Sequence, residues 1–382
     1  MAGLTASSPN TSASTTAVWL GWPLLLASGW TWCIGMYLPV VLLQRYGWPA
    51  AVCFTIPNVV GVILFGRFMR SASESRALVR RHPMTCVAFS IVTIAFHVFF
   101  LIWVWQAHFG LGWTNALAIG VVVTILAHLV VPASNRVMRA LGMAAYGLSI
   151  ALLVGTLVIR LTGTTQVIPP ATLEQARATP IANVFVLLPM VFGFLLCPHA
   201  DLTFHRAYQA VGGGQNGRRV FTMFGLFFAV MIGFTVTYAL TGFTWLIAVH
   251  FIVQSWFTMG LHLRELQTHA GIKPRAAWLL LIWVGLPATL FANYTDWYVF
   301  YGLAFPMILG LSSGRRRIGR NAADTVTIAA VILISLPCDW FGFMGGSEWL
   351  LAVPVGLFVI GMLGGRRQTR ETAAVGEDGG RP

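Results

Sequence analysis

Along the chain, apolar runs of about 20 residues, long enough as helices to cross a hydrocarbon core, alternate with short polar stretches rich in Arg, Gly or Pro. Twelve such runs predict twelve transmembrane helices, numbered here as spans 1 to 12. Spans 1 to 5 are Val18–Leu43, Pro49–Gly66, Met84–Trp105, Trp113–Val131 and Val137–Ile159. Span 6, Ile181–Gln209, is interrupted; spans 7 to 12 are Val220–Leu240, Phe243–Leu261, Ala276–Ala292, Trp297–Ser312, Thr325–Trp340 and Trp349–Leu363.

The basic residues test this count. Of the 24 Lys and Arg, all but Arg45, Arg160 and Arg177 fall after even-numbered spans or in the C-terminal tail. Basic loops stay on the cytoplasmic side, so the alternation predicts a multi-pass protein of the cell (inner) membrane with both termini cytoplasmic. One span missing or invented would destroy it.

Composition removes the other classes. With 57% hydrophobic and 9% charged residues and a mean hydropathy of +0.77, the chain is no set of soluble domains, no collagen and no disordered polymer. A net charge of +13 would suit nucleic acid, but its clustering between apolar runs reads as orientation, and no nucleic-acid partner is predicted. The five cysteines are scattered, form no CxxC pair and lie in apolar segments, as small buried hydrophobes do. Residues 1–17 lack Lys and Arg, unlike a signal peptide. They are expected as a cytoplasmic tail, followed by one transmembrane domain over 18–365 and a disordered tail over 366–382. Leu161–Pro180, with Pro169-Pro170, is expected to lie over the outer face.

Two spans contain breaks. Span 1 carries Ala27-Ser28-Gly29-Trp30-Thr31-Trp32-Cys33-Ile34-Gly35 and then Pro39; span 6 carries Gly193-Phe194-Leu195-Leu196-Cys197-Pro198-His199-Ala200-Asp201. Proline removes a backbone donor and glycine weakens the ladder, and the groups so freed need a partner in lipid. The breaks lie five spans apart, so the two helices cross in opposite directions. A five-plus-five inverted repeat, in which paired broken helices line the substrate and ion sites, has this spacing. The repeats would cover 18–160 and 181–312, with two extra helices over 323–365. Against this stands the fact that Gly and Pro are common in membrane helices.

Ser28-Gly29-Trp30, followed by Gly35 and Pro39, resembles the first core helix of the sodium:solute symporter family, the proline symporters in particular. Pro198-His199, then Arg206-Ala207 and Arg218-Arg219, resembles that family's end of the sixth core helix. The resemblance implies the LeuT-type fold of the amino acid-polyamine-organocation superfamily, sodium coupling, and an ion site at Leu24, Ala27, Asp201 and Ser255. The chain departs from the pattern in three ways. The family's leading helix and greater length have no counterpart here. The position two before Ser28-Gly29, acidic in the proline symporters, is Leu26. Span 8 has Gln254-Ser255 where the family has adjacent hydroxyls.

Polar groups within lipid mark cavities or partners. Asp201, three residues beyond Pro198, reads equally as a cation or proton site, a partner for Arg206, or the N-cap of the second half-helix. His199, Asp201 and His205 suggest a metal, but the two histidines are about 240° apart around a helix and no other span completes a ligand set; no metal or cofactor is predicted. In span 3, His97 lies one turn after Thr93, and in span 8 His250, Gln254 and Thr258 recur every four residues as one stripe. These read as cavity lining or as interhelical hydrogen bonds. Trp30, Trp32 and Tyr37 flank the first break and suit either stacking on a ligand or packing. Trp48, Trp105, Trp113, Trp297, Trp340 and Trp349 fall at outer span ends, as interface anchors.

The leading expectation is therefore a secondary transporter, not an enzyme: cation-coupled symport of a small polar or zwitterionic solute by alternating access, with Na⁺ or H⁺ as the coupling ion. Its substrate contacts are expected from Ser28, Gly29, Trp30, Thr31, Trp32, Cys33, Cys197, Pro198, His199, His97, His250 and Gln254. A non-transporting sensor or scaffold on the same fold is the alternative, and a membrane metal enzyme a weaker one. The solute and the oligomeric state are not encoded in any motif.

Overall fold

In the computed structural model the described residues are 12–31, 33–163, 191–270, 297, 300–313, 322–343 and 347–361. Span 9, Trp32, the outer loop beyond residue 163 and the C-terminal tail lie outside them. Span 1 forms two pieces, α1 (Ser12–Trp30) and the start of α2 (Cys33–Phe68). Because α1 begins at Ser12, the last residues of the expected N-terminal tail are helical. α2 continues through span 2 after a turn at Gly47, whose φ of 71° and ψ of −167° only glycine adopts without strain.

Next comes α3 (Ala72–Arg81), a short polar helix that the apolar runs did not predict. Ser71 caps it by accepting the Glu74 N–H at 3.1 Å, and the Glu74 carboxylate accepts the Arg70 N–H at 2.7 Å. This reciprocal capping stabilises the start of a helix with few apolar residues. α4 (Pro83–Phe109), α5 (Trp113–His128) and α6 (Asn135–Thr162) follow spans 3 to 5. α4 and α6 stop at left-handed Gly110 and Gly163.

Span 6 is described from residue 191. It forms α7 (Val191–Ala200), whose last turn, Cys197–Ala200, is a 3₁₀ turn, then an extended Asp201 and α8 (Leu202–Ala210). α9 (Gly214–Thr241) and α10 (Trp245–Ala270) are spans 7 and 8. Span 10 appears as a π turn, Phe300–Ala304, and α11 (Phe305–Ser313). Span 11 is α12 (Ala322–Phe343), and span 12 a 3₁₀ turn, Glu348–Leu351, leading into α13 (352–361).

By length and apolarity, five described helices are able to cross a membrane, or six if the bent pair Trp19–Trp30 and Gly35–Gln44 is one span. The protein is thus an all-helical, multi-pass membrane protein. α4 and α10 are the most buried of the long helices and form the centre, whereas α6 is the least buried. α1 lies between α6, α9 and α10, and α2 lies along α9. Exposed Val121, Val122, Ile125, Leu148, Val154, Leu226 and Val230 give the outside an apolar surface suited to lipid.

Lipid tails are as apolar as side chains, so helix association here depends on close packing. Two glycines show how close. A Cβ on Gly61 of α2 would sit 2.1 Å from the Phe194 carbonyl oxygen of α7. One on Gly193 would sit 2.6 Å from the Gly302 Cα in the π turn. Aromatic rings fill the interior between these contacts. Trp297, expected as an interface anchor, is instead buried and stacks on Phe96 at 5.3 Å. Trp48, Trp113 and Trp349 are exposed, as anchors are, while Trp105 is half-buried against Phe109.

Candidate functional site

Both predicted breaks are present, and they meet. At the first, Trp19–Trp30 and Gly35–Gln44 are bent by 48°. At the second, Pro198 lies in the 3₁₀ turn between α7 and α8. The Trp30 ring, at the end of α1, lies 4.8 Å from the Phe204 ring in the first turn of α8. Its indole N–H donates to Asn58 Oδ1 of α2 at 3.0 Å. Phe89 of α4 stacks on its other side at 6.3 Å and meets Tyr301 of the π turn at 5.6 Å. Tyr301 in turn ties α4 to α7: its hydroxyl donates to Thr93 Oγ1 at 3.2 Å, and its carbonyl accepts the Cys197 S–H at 2.8 Å.

Hydroxyl groups from α9 and α10 take up part of the interrupted ladder. Thr258 donates to the Gly29 carbonyl at 3.3 Å and Thr235 to the Gly35 carbonyl at 2.9 Å. Tyr238 donates to the Met36 carbonyl. Thr31 donates both its N–H and its hydroxyl to Ala27, at 2.9 and 2.5 Å, and Ser28 donates across to Gly142 of α6 at 3.2 Å. The backbone freed at this break is therefore partly satisfied by protein, which the breaks alone did not suggest.

At the second break Asp201 is the N-cap of α8. It is 1% exposed, and its Oδ1 accepts the Thr203 N–H at 2.7 Å. Of its three expected roles this one is present in the geometry; pairing with Arg206 is not, because Arg206 pairs with Glu265 of α10. His205 donates from Nε2 to the His199 carbonyl at 3.0 Å and accepts the Ser75 hydroxyl at Nδ1 at 2.8 Å. His205 thus fastens α8 to α3. The His199 ring packs on Phe65 at 5.2 Å and donates to the Leu196 carbonyl at 3.3 Å. Among the described residues, no group of three or more His, Cys, Asp and Glu side chains converges as a metal site.

The remaining candidates divide by helix. His97 is buried in α4 and donates to the Thr93 carbonyl at 2.7 Å. The α10 stripe is fully buried and reaches three neighbours: His250 beside Tyr238 of α9 at 6.4 Å, Gln254 donating to Ser149 of α6 at 2.7 Å, and Thr258 on α1. Among the described residues His250 Nδ1, Gln254 Oε1 and Ser255 Oγ have no hydrogen-bond partner although buried. Three such atoms within two turns are uncommon in a folded interior. Ala27 is buried and Leu24 half-buried on α1; the Trp32 and Cys33 side chains lie outside the described residues.

Three contributors escaped the sequence reading. Asn58 sits in an otherwise apolar run after Pro57, and a polar residue at such a position was the available signal. Tyr301 carries no distinguishing pattern. Glu265 follows the predicted end of span 8, where hydropathy falls, yet α10 continues past it and buries it completely.

No family model matches the chain, and no curated protein sequence does. Among solved structures it is similar to a manganese transporter from Eremococcus coleocola, determined in complex with an aromatic bis-isothiourea substituted compound. The TM-score is 0.55 at 11% identity, over 95% of this chain and 98% of that one. The chain has the fold of a membrane transporter. At that identity the likeness extends to the path of the backbone and not to cargo.

Proposed function

We propose that the protein is a secondary active transporter that carries a small polar or zwitterionic solute, coupled to a cation, by alternating access. The observation that carries this reading is the meeting of two interrupted spans, Trp30 on Phe204, beside unsatisfied polar atoms of α10. An inverted repeat of the LeuT type is supported by part of the packing. Several pairs have a counterpart five spans on: α1 with α9 and α7 with α2; α1 with α6 and α7 with α11; α6 with α10 and α11 with α4. The pairs α2–α9 and α4–α10 are their own counterparts. The likeness in fold to a manganese transporter supports a membrane transporter in general.

In this reading the solute lies between the Ser28–Cys33 and Cys197–His199 segments, with His97, His250 and Gln254 as its walls. The coupling ion, Na⁺ or H⁺, is served by oxygens of α1 and α10, Leu24, Ala27 and Ser255, with Asp201 as the nearby carboxylate. The groups that meet the first break are hydroxyl and backbone groups, of the kind that hold an organic solute, and among the described residues no three His, Cys, Asp or Glu side chains gather as a metal site. The orientation that agrees with the basic loops places Arg206, Arg219 and Arg264 on the cytoplasmic side.

A second reading, a sensor or scaffold on a transporter fold, is favoured by one observation: protein hydroxyls already occupy the Gly29, Gly35 and Met36 carbonyls. Uptake into proteoliposomes separates the two. With an inward Na⁺ or H⁺ gradient, a panel of amino acids and other zwitterions should include at least one solute accumulated above protein-free vesicles. No accumulation with either gradient, alongside ligand-dependent thermal stabilisation, would establish the sensor. Accumulation of Mn²⁺ alone would replace the organic solute with a metal cargo.

A further inference from the structure

The last turn of α2 and the first turns of α9 enclose a cleft of about 620 Å³, lined by Arg67, Gln215, Arg218, Arg219, Thr222 and Met223. Among the described residues, no carboxylate pairs with its three guanidinium groups. Every ion pair among the described residues converges on Glu265 of α10 instead. Glu74, on the neighbouring α3, is engaged by the Arg70 N–H. Arg67, Arg218 and Arg219 are all exposed, and Arg219 lies over the Trp19 ring of α1 at 5.9 Å.

Below the cleft the same helix faces become apolar. On α9, Met223, Leu226 and Val230 follow Arg219 at helical spacing and are exposed; on α2, Val60 and Ile56 lie below Arg67 on its own face and are exposed too. A cationic pocket opening onto two apolar stripes matches one chemistry: a phosphate-bearing headgroup attached to acyl chains. A free anion has no use for the stripes, and a soluble polyanion cannot reach them.

We propose that this cleft binds one anionic glycerophospholipid, its phosphate among Arg67, Arg218 and Arg219 and its chains along the outer faces of α2 and α9. Basic pockets between membrane helices recognise such headgroups by charge, and guanidinium is suited to phosphate by its paired N–H groups. The lipid would join α2 to α9 at the level where Arg219 also meets α1.

The test uses the full chain, delipidated in neutral detergent and titrated with phosphatidylglycerol, phosphatidylcholine or inorganic phosphate while thermal unfolding is followed. Phosphatidylglycerol should raise the unfolding midpoint saturably, and native mass spectrometry should find one retained per chain. The double variant Arg67→Gln, Arg218→Gln keeps the Trp19–Arg219 contact and should weaken the apparent affinity at least fivefold. Arg76→Gln, Arg80→Gln, on the exposed side of α3, should leave it unchanged. Should the double variant fail to fold, Arg67→Gln alone should weaken binding at least twofold. Equal stabilisation by phosphatidylcholine or by inorganic phosphate would overturn the proposal, as would an unaltered affinity in the cleft variants or no stabilisation at all.

Discussion

Asp201 is a buried carboxylate whose Oδ1 holds the first free N–H of α8. Capping and ion coupling make different demands on it. A cap requires an oxygen acceptor of this size, which asparagine supplies nearly as well as aspartate, whereas alanine costs about 1 kcal/mol. Ion or proton coupling requires the charge. Asp201→Asn should therefore unfold within a degree or so of the parent yet lose cation-coupled uptake, while Asp201→Ala should also lose about 1 kcal/mol of stability, both read by thermal unfolding and vesicle uptake; unaltered uptake in the Asn variant would leave Asp201 a cap alone. An Asn variant of undiminished stability that no longer accumulates solute would assign coupling to Asp201. The sequence exposed this residue because one acid in an apolar run stands out. It could not choose the role, since the choice depends on where the Thr203 N–H lies. Glu265 shows the converse. Adjacent to Arg264 and close to His262, it reads as loop chemistry, and only the packing of α8 and α6 on the far end of α10 buries it.

At the scale of elements, the breaks were legible because proline and glycine act locally, at the residues where they stand. What fills them was not, because the hydroxyls of Thr235, Tyr238 and Thr258 come from spans some 200 residues away in the chain. The same holds for α3: hydropathy finds membrane segments and passes over a polar surface helix, although Ser71 and Glu74 were visible as a capping pair. The approach of α7 to the π turn is the element contact most open to test. A Cβ at Gly193 would meet backbone on the far side, the Tyr301 carbonyl at 2.7 Å as well as the Gly302 Cα, and backbone cannot rotate aside. Gly193→Ala should thus lower stability by about 1–3 kcal/mol, the usual cost of overpacking, and disturb the Cys197–Tyr301 bond beside the second break. Gly233→Ala, at a position on α9 with open space around it, should be neutral or mildly stabilising in the same thermal unfolding measurement. Equal gains in both variants would mean that helix propensity, and not the α7 contact, sets the response.

Across the whole molecule, the end that carries the arginines is also the end that is tied shut. Glu265 of α10 accepts from Arg206 of α8 and lies 3.9 Å from Arg264, and its other oxygen is 3.4 Å from His269. Arg264 donates on to Asn135 at the start of α6 at 2.6 Å. One buried carboxylate thus joins α8, α10 and α6, and through His205 and Ser75 the chain of contacts extends to α3. In the proposed alternating-access cycle this end would separate when the solute leaves, which would make the ion pair a latch on the broken sixth span. Removing one partner of a buried pair leaves the other uncompensated; because Arg206 remains 17% exposed, water would share its charge and the cost should be nearer 2 kcal/mol than the larger values of fully dry pairs. Glu265→Gln is accordingly expected to favour the conformation open at this end. Cys197, buried at the second break, reports on it directly. With the other cysteines replaced by serine, a membrane-permeant maleimide should label Cys197 several-fold faster in Glu265→Gln than in the parent. Arg206→Lys should give an intermediate rate, because an ammonium keeps the charge but not the guanidinium geometry. Identical labelling rates across the three proteins, with unfolding midpoints showing all of them folded, would mean that the pair stabilises the bundle without gating it.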